Sequence, residues 1–172
     1  MGSGKSKLGP LLAKRLGWAF EDLDALIQAD AGLSVAQVFS RFGEAHFRTL
    51  ERRVLETVSE IPKPVVVALG GGAYMSKQNR ALLRSSGTTV WLDVPLVVLS
   101  RRLARRTHRP LLLGGDGKTL QGDALLAKIT ELLEPRRPAY AQADVQFIWT
   151  ADRSPNEMVA LLFEQLREHG AV

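Results

Sequence analysis

The chain contains no cysteine, and it has no apolar run long enough to cross a bilayer. Without cysteine among its 172 residues, a disulfide framework and a thiolate metal site are both excluded. A membrane span needs about 18 consecutive apolar residues, and no such run is present. An apolar signal segment is also missing from the first residues, which argues against secretion. We therefore expect a cytoplasmic protein with one domain, because this length suits a single hydrophobic core.

Positive charge is in excess and is unevenly placed. The formal net charge is +5, and the segment RRLARRTHR (101–109) concentrates arginine. Three interpretations fit such a run: a solvated helix face whose last turn favours cations, a nucleic-acid surface, or a clamp on the phosphates of a small molecule. Aromatic residues do not interleave with the arginines, which weakens the nucleic-acid interpretation.

Short apolar runs alternate with segments of helical periodicity, which predicts an α/β domain with a parallel sheet between helices. Strands are predicted at 18–22, 65–69, 88–94 and 145–149. The last three are apolar runs of the kind found in strands buried on both faces. Helices are predicted between the strands, with strong start signals at 34–37 and 154–157. The glycine-rich stretch 111–123 is expected to be a mobile loop.

The opening residues MGSGKSK contain the end of a phosphate-binding loop. Gly4, Lys5 and Ser6 fill the last three places of the pattern G-x-x-x-x-G-K-[ST], and the first glycine of the pattern is absent. In this interpretation Lys5 neutralises the β and γ phosphates, Ser6 binds Mg²⁺, and the N-terminus of the next helix attracts the anion. A disordered glycine-rich tail is the alternative. The helix predicted directly after the loop favours the nucleotide site.

Two carboxylates, Asp22 and Asp24, lie at the end of the first predicted strand. Open α/β sheets place their ligand crevice at this end of the strands. One carboxylate can approach a metal through water while the other accepts the proton of a substrate hydroxyl, as phosphoryl transfer requires. The alternative is a pair of acids at an ordinary helix N-terminus.

Six motifs follow one another in the order and approximate spacing of shikimate kinases: GSGKS, FEDLDALI, GEAHFRTLE, LGGGA, RPLL and RRPAY. The chain resembles this family over residues 1–172, as a single domain with the P-loop kinase fold. The resemblance implies ATP-dependent phosphorylation of shikimate in aromatic amino-acid biosynthesis, by a monomer that uses Mg²⁺ and binds neither nucleic acid nor membrane. The alternatives are another small-molecule kinase of this fold, such as gluconate kinase, and a ligand-sensing domain without turnover.

On the substrate side, the resemblance implies that Arg48 and Arg136 hold the carboxylate of shikimate. It also implies that Asp24 binds the substrate hydroxyls and is a candidate base. Taken alone, Arg48 is typical of an exposed helix arginine that pairs with Glu44 or Glu51.

A glycine triplet and the RRPAY motif complete the implied substrate site. Gly70, Gly71 and Gly72 are implied to bring backbone N–H groups to the substrate ring, with Gly71 as the central contact; a tight turn is the alternative. Arg137 competes for the role of Arg136, and only the family pattern R-x-P-x-Y separates the two. Tyr140 is expected in the core or at its margin.

On the nucleotide side, the resemblance implies a catalytic lysine, Lys5, and a lid over about residues 108–123 whose Arg109 closes over the ATP phosphates. Arg102 and Arg153 are implied to lie beside the adenine, and Asp22 to lie near the Mg²⁺ bound by Ser6. This assignment explains the arginine run better than a nucleic-acid surface does. The residues implied to contact ATP are Gly2, Ser3, Gly4, Lys5, Ser6, Lys7, Arg102, Arg109 and Arg153.

Two departures from the family concern the start of the chain. Lys7 stands where shikimate kinases usually have threonine, and the family's first, central strand is missing ahead of the loop. A central strand buries about four or five large side chains at ~1.5 to 3 kcal/mol each, which rivals the net stability of a domain. We therefore expect that Met1 is not the natural start. A chain that does start at Met1 is predicted to be poorly stable and impaired in ATP binding.

Overall fold

The computed structural model describes residues 1–105, 110–115, 117–150 and 153–172. Over these residues, helices and short strands alternate along the chain as predicted. No helix in these ranges is long and apolar enough to cross a membrane. In chain order the elements are α1 (Lys5–Leu16), β1 (Ala19–Asp22), α2 (Leu23–Ala31), α3 (Val35–Ser59), β2 (Val65–Ala68), α4 (Lys77–Ser86), β3 (Val90–Asp93), α5 (Leu96–Leu103), α6 (Gly122–Leu133), α7 (Arg137–Tyr140), β4 (Val145–Ile148) and α8 (Pro155–Glu168).

The helix starts lie where the sequence predicted them. Ser34 and Gln37 form a capping box at the start of α3, with a distance of 3.2 Å from the Gln37 nitrogen to the Ser34 hydroxyl. Ser154 and Glu157 form a capping box at the start of α8, with a distance of 3.3 Å from the Glu157 nitrogen to the Ser154 hydroxyl. Each box satisfies two backbone N–H groups that a helix start leaves without a partner.

A sharp bend at Gly43 divides α3 into two segments. Gly43 has φ 79° and ψ 176°, a conformation that is essentially restricted to glycine. After the bend, Phe47, Leu50 and Val54 face the core. The same turn of helix carries Arg48, so the bend also sets the direction of a predicted site residue.

The strands form two separate parallel pairs. β1 pairs with β2, with Ala19 opposite Val65 and Asp22 opposite Ala68. β3 pairs with β4 in the same sense, starting with Val90 opposite Val145. Within the described ranges no pairing joins β2 to β3, so the sheet is divided in its middle. The parallel α/β architecture is as predicted, and among the described residues no strand lies between β2 and β3.

A cavity of about 650 Å³ occupies the division between the two strand pairs, and we call it the slot. Residues 62–71 line one side of it and residues 86–94 line the other, so it runs the full length of β2 and β3. Its faces are apolar because helices on both sides of the sheet supply them, with Leu8, Leu12, Leu55, Val58, Leu162 and Leu166. The slot therefore has the position and the lining expected for a strand in the middle of the sheet.

The slot explains why the burial predicted for the strands was wrong. Val65, Val66 and Val67 are only partly buried, as is every residue of β3, because the slot opens beside them. β4 lies at the edge of its pair and alternates instead, with Val145 and Phe147 buried and Ile148 exposed. An apolar run therefore did not guarantee burial on both faces.

Candidate functional site

The site is built around the glycine triplet that follows β2. A Cβ atom added to Gly70 would lie 3.0 Å from Oδ1 of Asp24, and one added to Gly72 would lie 2.5 Å from Nη1 of Arg48. A Cβ atom would be too close to Arg48 at Gly72 and in a tight contact with Asp24 at Gly70, so glycine lets both side chains lie against the backbone without shifting. The triplet thus brings Asp24 and Arg48 to adjacent residues of one loop.

The middle glycine faces the second arginine. A Cβ atom at Gly71 would lie 3.5 Å from Nη1 of Arg136 and 2.9 Å from the hydroxyl of Tyr140. Asp24, Arg48 and Arg136 therefore all contact one triplet, although they come from α2, α3 and the turn before α7. The carboxyl ends of β1 and β2 lie at one edge of the sheet, which brings Asp24 to the triplet, and α3 and the turn before α7 bring the two arginines to the same edge.

Arg48 is held by two carboxylates. Its Nη1 donates to both oxygens of Glu51, at 3.0 and 2.9 Å, while Nε and Nη2 donate to Oε1 of Glu44 at 3.2 and 3.0 Å. Glu51 is only 2% exposed, so its contact with Arg48 is well protected from solvent. The sequence offered pairing with glutamate as the alternative to a substrate role for Arg48. The structure has both the pairing and the position beside Gly72.

The pKa values of this ion pair reflect its partial burial. Burial raises the pKa of the Glu51 carboxyl above its ordinary value, against the hydrogen bonds from Arg48. Burial also works to lower the pKa of Arg48, but the hydrogen bonds to Glu51 and Glu44 outweigh it, so that this pKa is raised. Arg48 is thus a fixed cation at the site.

Arg136 and Arg137 have different surroundings. Nε of Arg137 donates to Glu134 at 2.9 Å, its Nη1 lies 3.8 Å from Asp93, and its guanidinium lies over the Trp91 ring. Arg136 has no carboxylate partner among the described residues and is half-buried beside Gly71. Only Arg136 is therefore placed against the triplet.

The two aspartates after β1 lie next to this edge. The register places Asp22 opposite Ala68, two residues before Gly70. Oδ1 of Asp22 accepts from the N–H of Asp24 at 3.0 Å and caps α2. Both acids therefore lie at a helix N-terminus, with Asp22 as the cap and Asp24 in the first turn, and the Asp24 side chain is directed at the triplet.

The phosphate-loop residues form the turn into α1. Gly2 and Gly4 have φ of 73° and 102°, a region that favours glycine. Gly4 is the N-cap, and its carbonyl accepts from the N–H groups of Lys7 and Leu8 at 2.9 Å each. Lys5, Ser6 and Lys7 thus lie in the first turn, where a helix offers N–H groups and positive potential to an anion.

Arg102 contacts the phosphate loop. Its guanidinium lies 4.0 Å above the Trp149 ring, and its Nη1 lies 3.4 Å from the carbonyl oxygen of Gly2 and 3.5 Å from that of Ser3. A Cβ atom at Gly4 would lie 3.4 Å from the same indole. Burial lowers the pKa of Arg102. Arg102 and Trp149 together support the loop from α5 and the end of β4.

The rest of the predicted nucleotide site is only partly described. Arg109 lies outside the described residues, and Arg153 is exposed just before α8. Within the predicted lid, Leu112 is fully buried and Leu113 bridges Thr119. In the part of the chain that the structure covers, no cluster of three or more acidic or histidine side chains could hold a metal.

A family model identifies the family to which the chain belongs. The model for shikimate kinase matches residues 1–167. The chain belongs to the shikimate kinase family. The shikimate kinase of Chlorobaculum tepidum is 40% identical over 168 residues, which are 98% of this chain and 87% of that protein. The shikimate kinase of Chlorobium chlorochromatii is 46% identical over 144 residues, or 84% of this chain and 75% of that protein.

Solved shikimate kinases have the same fold. The enzyme from Bacteroides thetaiotaomicron superimposes with a TM-score of 0.85 at 36% identity, covering 97% of this chain and 94% of that one. The enzyme from Acinetobacter baumannii, solved in complex with shikimate, superimposes with a TM-score of 0.83 at 31% identity. The match covers 98% of this chain and 89% of that one. The P-loop kinase fold predicted from the motifs is therefore confirmed.

Sequence reasoning missed one residue that touches the triplet. Tyr140 was expected in the core or at its margin, yet its hydroxyl donates to the Gly71 carbonyl at 2.8 Å. Its place at the end of RRPAY, one helical turn after Arg136, was the available signal. Glu51 was considered only as an ion-pair partner of Arg48. Its i, i+3 spacing indicated the pairing, and the structure adds that Glu51 is buried.

Proposed function

We propose that the chain transfers the γ phosphoryl group of ATP to a hydroxyl of shikimate. One observation carries this proposal: an acid and two guanidinium groups meet three consecutive glycines at the carboxyl end of β2. Membership of the shikimate kinase family supports the identity of the acceptor. Membership of this family also supports a cytoplasmic location, a role in aromatic amino-acid biosynthesis and a monomeric state.

In this proposal the shikimate carboxylate lies between Arg48 and Arg136. A guanidinium presents a planar fork of donors that matches a carboxylate, and each charged hydrogen bond contributes ~1.5 to 3 kcal/mol. Glu44 and Glu51 hold the Arg48 guanidinium in place before substrate arrives, which lowers the entropic cost of binding. The backbone of Gly70, Gly71 and Gly72 forms the floor of the site, because a side chain at any of the three would displace Asp24, Tyr140 or Arg48.

Asp24 is the proposed base or orienting group for the acceptor hydroxyl. Its Oδ1 lies over Gly70, on the side of the triplet that faces β1. A carboxylate there accepts the proton of the hydroxyl as the oxygen attacks phosphorus, or holds that hydroxyl in line for attack.

The proposed nucleotide site lies at the start of α1. Lys5 neutralises the β and γ phosphates, while Gly2, Ser3, Gly4, Ser6 and Lys7 surround them. Arg109 closes over the γ phosphate and the segment of about 108–123 excludes water. Arg102 and Arg153 flank the adenine in this proposal, and Arg102 also supports the loop through its contacts with Gly2 and Ser3.

Mg²⁺ is proposed to be held by Ser6 and Asp22 together with phosphate oxygens. A hydroxyl and a carboxylate are the hard oxygen ligands that this ion prefers, and two protein ligands beside substrate phosphates are usual for it. When bound, the ion neutralises charge on the β and γ phosphates.

A coupled assay of ADP release tests the proposal. We expect release that requires both ATP with Mg²⁺ and shikimate, and that gluconate does not replace. Equilibrium binding of shikimate, measured by calorimetry, is the companion experiment. Binding without ADP release would indicate a ligand-sensing domain, and release with gluconate in place of shikimate would indicate a different kinase.

A further inference from the structure

The three carbonyl groups of the glycine triplet all have hydrogen-bond donors, but one donor differs from the others. The Gly70 carbonyl accepts from the N–H of Ala73 at 3.1 Å, and the Gly72 carbonyl accepts from the N–H of Met75 at 3.0 Å. These are local turn bonds. The Gly71 carbonyl instead accepts from the side chain of Tyr140, which is 69 positions away.

The Tyr140 bond fixes the direction of a backbone N–H group. The peptide unit is planar and trans, so the C=O of Gly71 and the N–H of Gly72 point in opposite directions from one plane. With the carbonyl directed at Tyr140, the Gly72 N–H is directed away from it. Across the described residues, the N–H groups of Gly71 and Gly72 donate to no protein acceptor, so they are available to a ligand.

A peptide plane between two glycines needs such an anchor. Glycine has no Cβ atom and adopts either sign of φ at little cost, so the Gly71–Gly72 plane can rotate and exchange its carbonyl for its N–H. A flipped plane would present a carbonyl oxygen to an anionic ligand, which is repulsive. One hydrogen bond from a fixed donor selects the orientation that attracts an anion.

The Tyr140 ring is oriented by two neighbouring aromatic rings. The ring centroid lies 6.2 Å from that of Trp91 and 6.5 Å from that of Tyr74. These separations suit tilted aromatic pairs. Tyr140 also ends α7, the single helical turn that Arg136 caps, so the same turn orients the arginine and the peptide plane.

We propose that Tyr140 is a positioning residue for shikimate: its hydroxyl fixes the Gly71–Gly72 peptide plane and couples it to Arg136. This inference rests on the proposed function, since shikimate is the anion to be bound. Tyr140 need not touch the substrate, because it acts through the Gly71 carbonyl.

Tyr140→Phe tests the inference, because it removes the hydroxyl and keeps the ring. We expect the KM and Kd for shikimate to rise about three- to tenfold, the range that one hydrogen bond supplies, with the Kd for ATP unchanged. Tyr74→Phe is the matched control: it removes a hydroxyl from the same aromatic cluster, but that hydroxyl bonds Thr89 at 3.1 Å and not the triplet. We expect the control to leave the shikimate constants unchanged, whatever its effect on melting.

A second measurement separates this inference from the proposed function. In protein labelled with ¹⁵N-glycine, Tyr140→Phe is expected to shift or broaden the Gly72 amide resonance, and Tyr74→Phe is not. If the unmutated chain binds no shikimate, the proposed function fails while the glycine spectrum still reports on the peptide plane. If Tyr140→Phe keeps both the unmutated KM and the unmutated Gly72 resonance, the positioning role is overturned.

Discussion

Arg136 and Arg137 are adjacent in sequence but differ in whether their guanidinium groups are placed to bind an anion at the glycine triplet. Arg137 already has Glu134, Asp93 and the Trp91 ring as partners. Arg136 faces Gly71. The partners of Arg137 hold its guanidinium at Glu134, Asp93 and Trp91 rather than at the triplet, so Arg137 is not placed to bind an anion there, whereas Arg136 is.

Arg136→Ala should therefore raise the KM for shikimate strongly, by a factor of about ten or more, because a charged hydrogen bond contributes ~1.5 to 3 kcal/mol. The Kd for ATP should change little, because the proposed phosphate site lies at α1. Arg137→Ala, the matched control, should leave the shikimate KM within about twofold. Steady-state kinetics with each substrate varied in turn distinguish these results. Equal losses for shikimate and ATP in Arg136→Ala would contradict the assignment.

The sequence predicted the side chains that lie beside the triplet but not how they are supported. Arg48, Arg136 and Asp24 were predicted because short motifs carry them. The contact of Tyr140 with Gly71 could not be predicted from the motif alone, because it depends on how α7 packs against the loop after β2. Glu51 gave a local signal, but its burial depends on the bend at Gly43.

At the level of elements, β3 and β4 are fastened together at their starts by a polar contact. Oδ2 of Asp144 accepts from the N–H of Thr89 at 2.8 Å and from its hydroxyl at 2.6 Å. In return, the N–H of Asp144 donates to the Thr89 hydroxyl at 3.1 Å. The contact sets the register of the strand pair one residue before the ladder begins at Val90 and Val145.

This contact predicts a pH-dependent contribution to stability. Burial works to raise the pKa of Asp144, but the hydrogen bonds from Thr89 outweigh it and lower that pKa below its ordinary value. A carboxyl group with a lowered folded-state pKa stabilises the protein above its unfolded pKa, and loses that contribution as the pH falls through the folded value.

Asp144→Asn should therefore lower the free energy of unfolding by about 1 kcal/mol at neutral pH. The difference from the unmutated chain should shrink as the pH falls below about 4. Urea unfolding at several pH values measures both effects. Glu168→Gln is the control, because it removes an exposed carboxylate near the end of α8. A difference for Asp144→Asn that stays constant with pH would contradict this account.

Element boundaries were more predictable than element burial. The capping serines act through bonds within a few residues, so the sequence specifies them locally. The burial of β2 and β3 depends on which strand lies beside them. That neighbour is not among the described elements, and the apolar runs alone did not indicate it.

For the whole molecule, the divided sheet is the dominant feature. β2 and β3 each present one strand edge to the slot, where backbone groups have no strand partner within the described ranges. Apolar side chains of α1, α3 and α8 line the slot and lack packing partners on that side, although they are buried. Unpaired backbone in the interior of a sheet is destabilising, and an unfilled apolar cavity adds to this. Because Met1, Ser3 and Lys5 line the slot too, the stability of the sheet and the shape of the phosphate loop are coupled.

Filling the slot should accordingly raise both stability and ATP affinity. We expect a chain extended ahead of Met1 by a short β-branched strand and a glycine to melt at least about 5 °C higher than the chain without that extension. Burying even two or three apolar side chains contributes several kcal/mol, and each kcal/mol shifts the melting temperature of a domain this size by about 2 to 4 °C. ATP with Mg²⁺ should then bind more tightly, because the strand would hold the loop at Met1.

A glycine-serine extension of equal length is the control, since it offers backbone partners without apolar side chains. Equal melting temperatures for the two extended chains would mean that the slot does not accept a strand.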